Sequence, residues 1–176
     1  MEERVLIKPA ADYAIRAARA DDVPEILRLI RELAEYEKLA HMAVGTPAML
    51  HEALFGARAA CEALIAERGG RAVGFALYFT TFSTFLCKPG LYLEDLFVEP
   101  AHRGKGHGKA LLRAVARLAA ERDCGRLEWS VLNWNEPAIR FYEALGAVPL
   151  DEWTGYRLTG EALGRVSGTE APQESS

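Results

Sequence analysis

Residues 96–112 restrict the folding of this chain more than any other stretch: Leu-Phe-Val-Glu-Pro-Ala-His-Arg-Gly-Lys-Gly-His-Gly-Lys-Ala-Leu-Leu. The apolar run Leu96-Phe97-Val98 predicts a strand. Leu111, Leu112, Val115, Leu118 and Ala119 have the spacing of one helical face. Between them Gly104, Gly106 and Gly108 stand at alternate positions, so the backbone can turn sharply. A strand that enters a helix through such a loop gathers N–H groups at the positive end of the helix, where phosphate oxygens bind. Arg103, Lys105 and Lys109 add charge of the right sign. Two common phosphate motifs are excluded. A P-loop needs a hydroxyl residue after its lysine, and Lys109 is followed by Ala110. A dinucleotide fingerprint needs a third glycine, and Lys109 or Leu111 stands there in the two registers.

Half of the 176 residues are apolar, enough for the core of one compact domain. The formal net charge is -4 and the basic residues are scattered, which argues against nucleic acid as a partner. Cys61, Cys87 and Cys124 are far apart and lack neighbouring histidines, so they predict idle thiols in a reducing cytosol and no metal site. The first residues lack the pattern of a signal peptide, and no apolar run approaches the roughly 18 residues of a membrane span. The expectation is a soluble, cytoplasmic protein without a membrane partner.

The periodicity predicts an α/β (α+β) chain. Residues 1–12 read as a leader and 164–176 as a disordered tail, with a single domain over 13–163 between them. Within it a strand is expected at 13–19, a helix at 22–38 capped by Asp21 or Asp22, and a helix opening at Thr46-Pro47. A hairpin follows over 62–82, then a strand at 91–99, a helix at 107–122 and a strand at 126–131. A helix opened by Asn135 and Pro137 and a last strand pair over 147–160 complete the reading. The strand at 91–99 is unusual in carrying two adjacent acids, Glu94 and Asp95.

The pattern Arg103-x-x-Gly106-x-Gly108, directly after Leu96-Phe97-Val98, resembles the acetyl-CoA diphosphate loop of the GNAT acetyltransferases. The stretch Asn135-Glu136-Pro137-Ala138-Ile139-Arg140-Phe141-Tyr142, with Gly146 beyond it, resembles that superfamily's second signature, and the order of elements is similar over residues 13–160. Residues 28–37, 91–98 and 134–137 look most like the spermidine/spermine and thialysine acetyltransferases. The resemblance implies a mixed central sheet of about six to seven strands flanked by about four helices. It places acetyl-CoA in the cleft between the fourth and fifth strands. It also implies transfer of acetyl to a primary amine of a small molecule (polyamine, diamine or lysine-like), and a homodimer. The alternatives are acetylation of proteins or peptides, and a non-catalytic acyl-CoA-binding module.

Residue by residue, the resemblance gives the coenzyme to the backbone of Leu96, Phe97 and Val98. It adds the loop Arg103, Gly104, Lys105, Gly106, His107, Gly108 and Lys109, and the helix start Asn135, Pro137 and Ala138. Tyr142 matches the general acid, and Tyr36 and Glu37 match residues that touch the amine. Trp129 and Ser130 are further candidates for the amine pocket; Trp129 and Trp134 can equally be core aromatics.

The chemistry itself singles out Glu94. An alkylamine with a pKa of about 10.4 is almost wholly protonated at neutral pH, so the reaction needs a proton acceptor. A carboxylate inside an apolar strand is costly unless it has such a use. In a regular strand Asp95 would face the other way, and a bulge would upset that parity. Residues 82–85 lack an acid found in the polyamine enzymes, which makes a diamine or thialysine-like amino acid as good a fit as a long polycation.

Overall fold

The computed structural model describes residues 5–10 and 12–168. The chain divides after Ser130 into two compact units. The first is built on a six-stranded sheet whose spatial order follows the sequence, β1 (Val5–Ala10), β2 (Tyr13–Ala17), β3 (Glu62–Arg68), β4 (Arg71–Ser83), β5 (Lys88–Val98) and β6 (Leu127–Trp129). Neighbours from β1 to β5 are antiparallel, and β5 and β6 are parallel.

The expected hairpin is present, with Arg68 opposite Arg71 across its two-glycine turn. Strand β4 is buried continuously from Ala72 to Tyr78, as suits a strand covered on both faces. Gly74 is required where β4 meets β5, because a Cβ there would lie 2.6 Å from the Phe97 carbonyl oxygen.

Helices α1 (Val23–Tyr36) and α2 (Pro47–Phe55) cover one face of the sheet. Ile26, Leu29 and Leu54 pack there with Ile65, Phe75, Leu77 and Phe97. Full burial of each such side chain contributes about 1.5–3 kcal/mol. Thr46 caps α2 by accepting the Met49 N–H at 3.3 Å. Asp22 does not cap α1. Its carboxylate receives the Arg16 guanidinium at 2.6 and 2.8 Å and the Arg19 N–H instead. Helix α3 (His107–Glu121) packs on β4 and β5 with Leu111 and Val115 fully buried.

The second unit holds α4 (Glu136–Glu143) and α5 (Gly160–Ser167). Among the described residues no helix is long and apolar enough to cross a membrane.

Three expectations need correction. Residues 5–10, assigned to a leader, form β1, an edge strand. The run Val-Leu-Ile favours a strand, and Pro9 is tolerated because it lies on an edge. No strand occurs over 147–159 among the described residues. Pro149 cannot donate to a ladder, and Val148, Trp153 and Tyr156 are exposed. The tail expected to be disordered from residue 164 begins inside α5, which gains an Arg165–Glu161 pair one turn apart at 3.4 Å. Residues 169–176 of that tail, and residues 1–4 and 11 of the leader, lie outside the described residues.

Candidate active site

The glycine loop leaves β5 at Glu99, makes one tight turn over Pro100–His102, and enters α3. Glu99 anchors its base. This buried carboxylate receives Arg28 of α1 at 2.7 Å and Arg71 of β4 at 2.6 and 2.8 Å. Burial works to raise its pKa, but the Arg71 and Arg28 guanidinia together outweigh burial and hold it low. Gly104 and Gly106 have φ of 73° and 84°. A Cβ at either would meet nothing within 4 Å, so left-handed backbone rather than space requires glycine there.

The N–H groups of His102 and Arg103 donate to Glu99 and Pro100. Those from Gly104 to Lys109 have no acceptor among the described residues. Six adjacent donors at a helix start are a fit for diphosphate oxygens. The donor set thus begins one residue later than the sequence pattern suggests.

The side chains of the loop serve structure. Arg103 Nε donates to the Val98 carbonyl at 2.9 Å, and its guanidinium lies over the Tyr36 ring, 4.5 Å from the centroid. Lys105 Nζ donates to the Ala101 carbonyl at 3.0 Å, while Lys109 is exposed. The His107 ring is buried and stacks on Tyr13 at 4.2 Å. Its Nε2, the Tyr13 hydroxyl and His102 Nδ1 are buried without hydrogen-bond partners among the described residues. Burial pulls the His107 pKa down, helped by His102, Arg68 and Lys105, and burial pushes Tyr13 up to about 12.

Before it reaches the loop, β5 is interrupted. Leu77 of β4 stands opposite Asp95, and Tyr78 opposite Leu93, so Glu94 is an extra residue on β5. This is a β-bulge, and it overturns the alternation expected of a regular strand: Glu94 and Asp95 together oppose Leu77. Glu94 is exposed and Asp95 half-buried. Burial raises the Asp95 carboxyl to about 6, and the charges of Glu94 and of Glu37, just past α1, add to the rise. Burial also raises Glu37. Among the described residues none of the three carboxylates has an ion-pair or hydrogen-bond partner.

Further along the same strand, the Tyr92 ring packs on Phe79 at 5.3 Å and its hydroxyl shares a 2.7 Å hydrogen bond with Ser130. Trp129 is half-buried at the end of β6, opposite Leu93. Asp95 is the functional candidate that sequence reasoning set aside. Two acids in one apolar strand were the available signal, and the bulge that unites them has none.

In the second unit, Asn135 is buried and caps α4, its side chain accepting the Ala138 N–H at 3.4 Å. Pro137 sits in the first turn, where its missing N–H costs nothing. Tyr142 is half-buried, its ring 5.2 Å from that of Phe141. Trp134 is half exposed.

A helix start with six N–H groups lacking acceptors among the described residues, fed by a strand that carries unpaired acids, suits a phosphorylated ligand beside a cationic one. Residues 23–147 match the Acetyltransferase (GNAT) family, and the chain belongs to it. It is an acyltransferase, and the family uses acetyl-CoA as co-substrate. The chain is similar to the thialysine N-epsilon-acetyltransferase of Mus musculus, 37% identical over 169 residues that cover 90% of this chain and 99% of the relative. It is 34% identical to the L-ornithine N5-acetyltransferase of Arabidopsis thaliana over 85% of each chain. Among solved structures, an integron cassette protein from the mobile metagenome of V. cholerae superposes with a TM-score of 0.77 at 26% identity. That match covers 91% of this chain and all of the other.

Proposed function

We propose that the chain transfers the acetyl group of acetyl-CoA to a primary amine of a small molecule of the thialysine, ornithine or diamine kind. The observation that carries this reading is the bulge in β5, which sets Glu94 and Asp95 together opposite Leu77, where the Glu37 charge also acts on Asp95, with no cation paired to any of the three carboxylates among the described residues. Three carboxylates that repel one another favour a cationic guest. The similar proteins named for thialysine and ornithine support the same class.

The N–H groups from Gly104 to Lys109 hold the diphosphate, and the backbone of Leu96, Phe97 and Val98 lies along the pantetheine arm. Asn135, Pro137 and Ala138 contribute from the start of α4. Acetyl-CoA supplies the acetyl group as a thioester. An ammonium group enters at Glu37, Glu94 and Asp95, where one proton must be removed to free the nitrogen lone pair. Glu94 accepts it, directly or through water, with Asp95 beside it on the bulge as a second acceptor. A carboxyl near pH 6 is ionised at pH 7 and is about a hundredfold more basic than an ordinary aspartate. The freed nitrogen bonds to the thioester carbonyl carbon as the C–S bond breaks; Tyr142 gives its phenolic proton from Oη to the leaving sulfur and recovers one from the acylated nitrogen. Trp129 and Ser130 wall the amine pocket with Tyr36. Residues 13–163 act as one catalytic domain, in a cytoplasmic homodimer.

Free-thiol release from acetyl-CoA, measured over thialysine, L-ornithine, lysine, diamines, spermidine and lysine-containing peptides, tests the reading. Small amines are expected to sustain turnover, and Tyr142→Phe to lower it by about 10²–10⁴-fold. Turnover of peptides alone would overturn the substrate class, and equal rates in both proteins would remove Tyr142 from the mechanism.

A further inference from the structure

Arg103 opens the glycine loop, at a place where a cation could serve a phosphate, but its side chain is engaged elsewhere. The bond from Nε to the Val98 carbonyl at 2.9 Å fixes the guanidinium at the end of β5. From there it faces two rings, Tyr36 at 4.5 Å and Phe97 at 5.4 Å from Cζ to centroid. Phe97 belongs to the core and cannot move freely. Tyr36 is different: it is the last residue of α1 and is 37% exposed.

The next residue is Glu37. Its N–H closes the helix on the Leu33 carbonyl, and Lys38 then turns the chain with a φ of 62°. The position of Glu37 is therefore set by where the last turn of α1 lies. Glu37 acts on Asp95 through its charge, and Glu94 acts there too. Like charges push this helix end away from β5, and a cation stacked on the adjacent ring pulls it back.

We propose that Arg103 is a positioning residue for the amine. Tied to the Val98 carbonyl, it clamps the Tyr36 ring and so holds Glu37 toward Asp95, joining the strand end beside the coenzyme loop to the amine site. The proposal rests on the function proposed above. It assigns the Arg103 side chain to amine recognition, and leaves diphosphate binding to the N–H groups that follow it.

The test measures CoA affinity by calorimetry, and kcat and KM for thialysine, L-ornithine and spermidine. It compares wild-type protein with Arg103→Met, Arg103→Gln, Glu37→Gln and Arg103→Met/Glu37→Gln. The expected result is an amine KM raised about five- to tenfold in Arg103→Met and in Arg103→Gln, with kcat and the CoA Kd within about twofold. In the Glu37→Gln background, Arg103→Met should add less than about twofold, because the arginine acts through Glu37. Merely loosened packing would lower kcat and stability without this split.

A tenfold loss of CoA affinity in Arg103→Met with amine KM unchanged would overturn the proposal and return the side chain to the diphosphate. Full additivity with Glu37→Gln would also overturn it. Arg103→Gln, which keeps a donor to the Val98 carbonyl and removes only the cation over the Tyr36 ring, carries the test if Arg103→Met does not fold; an unchanged amine KM there overturns the proposal. Wild-type protein that neither binds CoA nor turns over these amines would overturn the proposed function itself, and this proposal with it.

Discussion

Replacing Asp95 by asparagine is expected to stabilise the protein, and to do so more at high pH than at low. The carboxyl is half-buried, and its pKa is raised from 3.8 to about 6 by burial and by the charges of Glu94 and Glu37. A raised pKa means that the folded chain holds this proton more tightly than the unfolded chain. The resulting stabilisation is complete below pH 3.8, where both states are protonated. It is lost as pH rises toward 6, and none is left above that. The full span corresponds to about 3 kcal/mol, and solvent around a half-buried group reduces it to about 1–3 kcal/mol. Asparagine has no proton to lose. Urea unfolding at pH 8 and pH 4.5 should therefore show Asp95→Asn gaining about 1–2 kcal/mol more over wild type at the higher pH. Adding Glu37→Gln or Glu94→Gln to the wild-type background should shrink that gain, since each removes one of the repelling charges. An equal effect of Asp95→Asn at both pH values would refute the reasoning, because it would mean that folding does not raise the carboxyl's pKa.

Two further outcomes follow from the loop. Gly106→Ala forces a left-handed backbone at φ 84° on a residue with a Cβ, which costs about 1–2 kcal/mol. CoA calorimetry should show weaker binding in Gly106→Ala than in Gly108→Ala, whose added Cβ would only touch Val98 at 4.0 Å. His107 has a lowered pKa in the folded chain, so its contribution to stability is complete above the ordinary value of 6.5 and falls as pH drops below it. His107→Phe should flatten that part of the curve of melting temperature against pH, and an unchanged slope between pH 6.5 and 5 would refute it.

The helices and the glycine loop were legible because each is encoded locally. Apolar spacing marks α1 and α3, Thr46-Pro47 opens α2, Asn135 caps α4, and three alternating glycines announce the turn before His107. What was not legible depends on pairing between distant residues. The extra residue in β5 exists only relative to Leu77 and Tyr78, so no inspection of residues 91–99 alone could show that Glu94 and Asp95 share a partner. Likewise, Arg103 looks like a phosphate ligand by position. Its attachment to Val98 and Tyr36 depends on where α1 ends against β5. Near the termini propensity misled in both directions. The Val-Leu-Ile run before Pro9 forms a strand although it lies outside the expected domain, and the apolar residues between 147 and 159 form none.

Strand β6 accompanies β5 at Leu91, Tyr92 and Leu93 and then stops, while β5 runs on to Val98 with β4 as its remaining neighbour in the first unit. An extended group lying along that margin would be gripped by the main chain, which every residue type except proline offers in the same form. Side chains at 96–98 can therefore change, within the limits of the core beneath them, while the grip stays constant. If the proposed sites hold, the enzyme can alter its taste in amines at the bulge without renegotiating its hold on the donor.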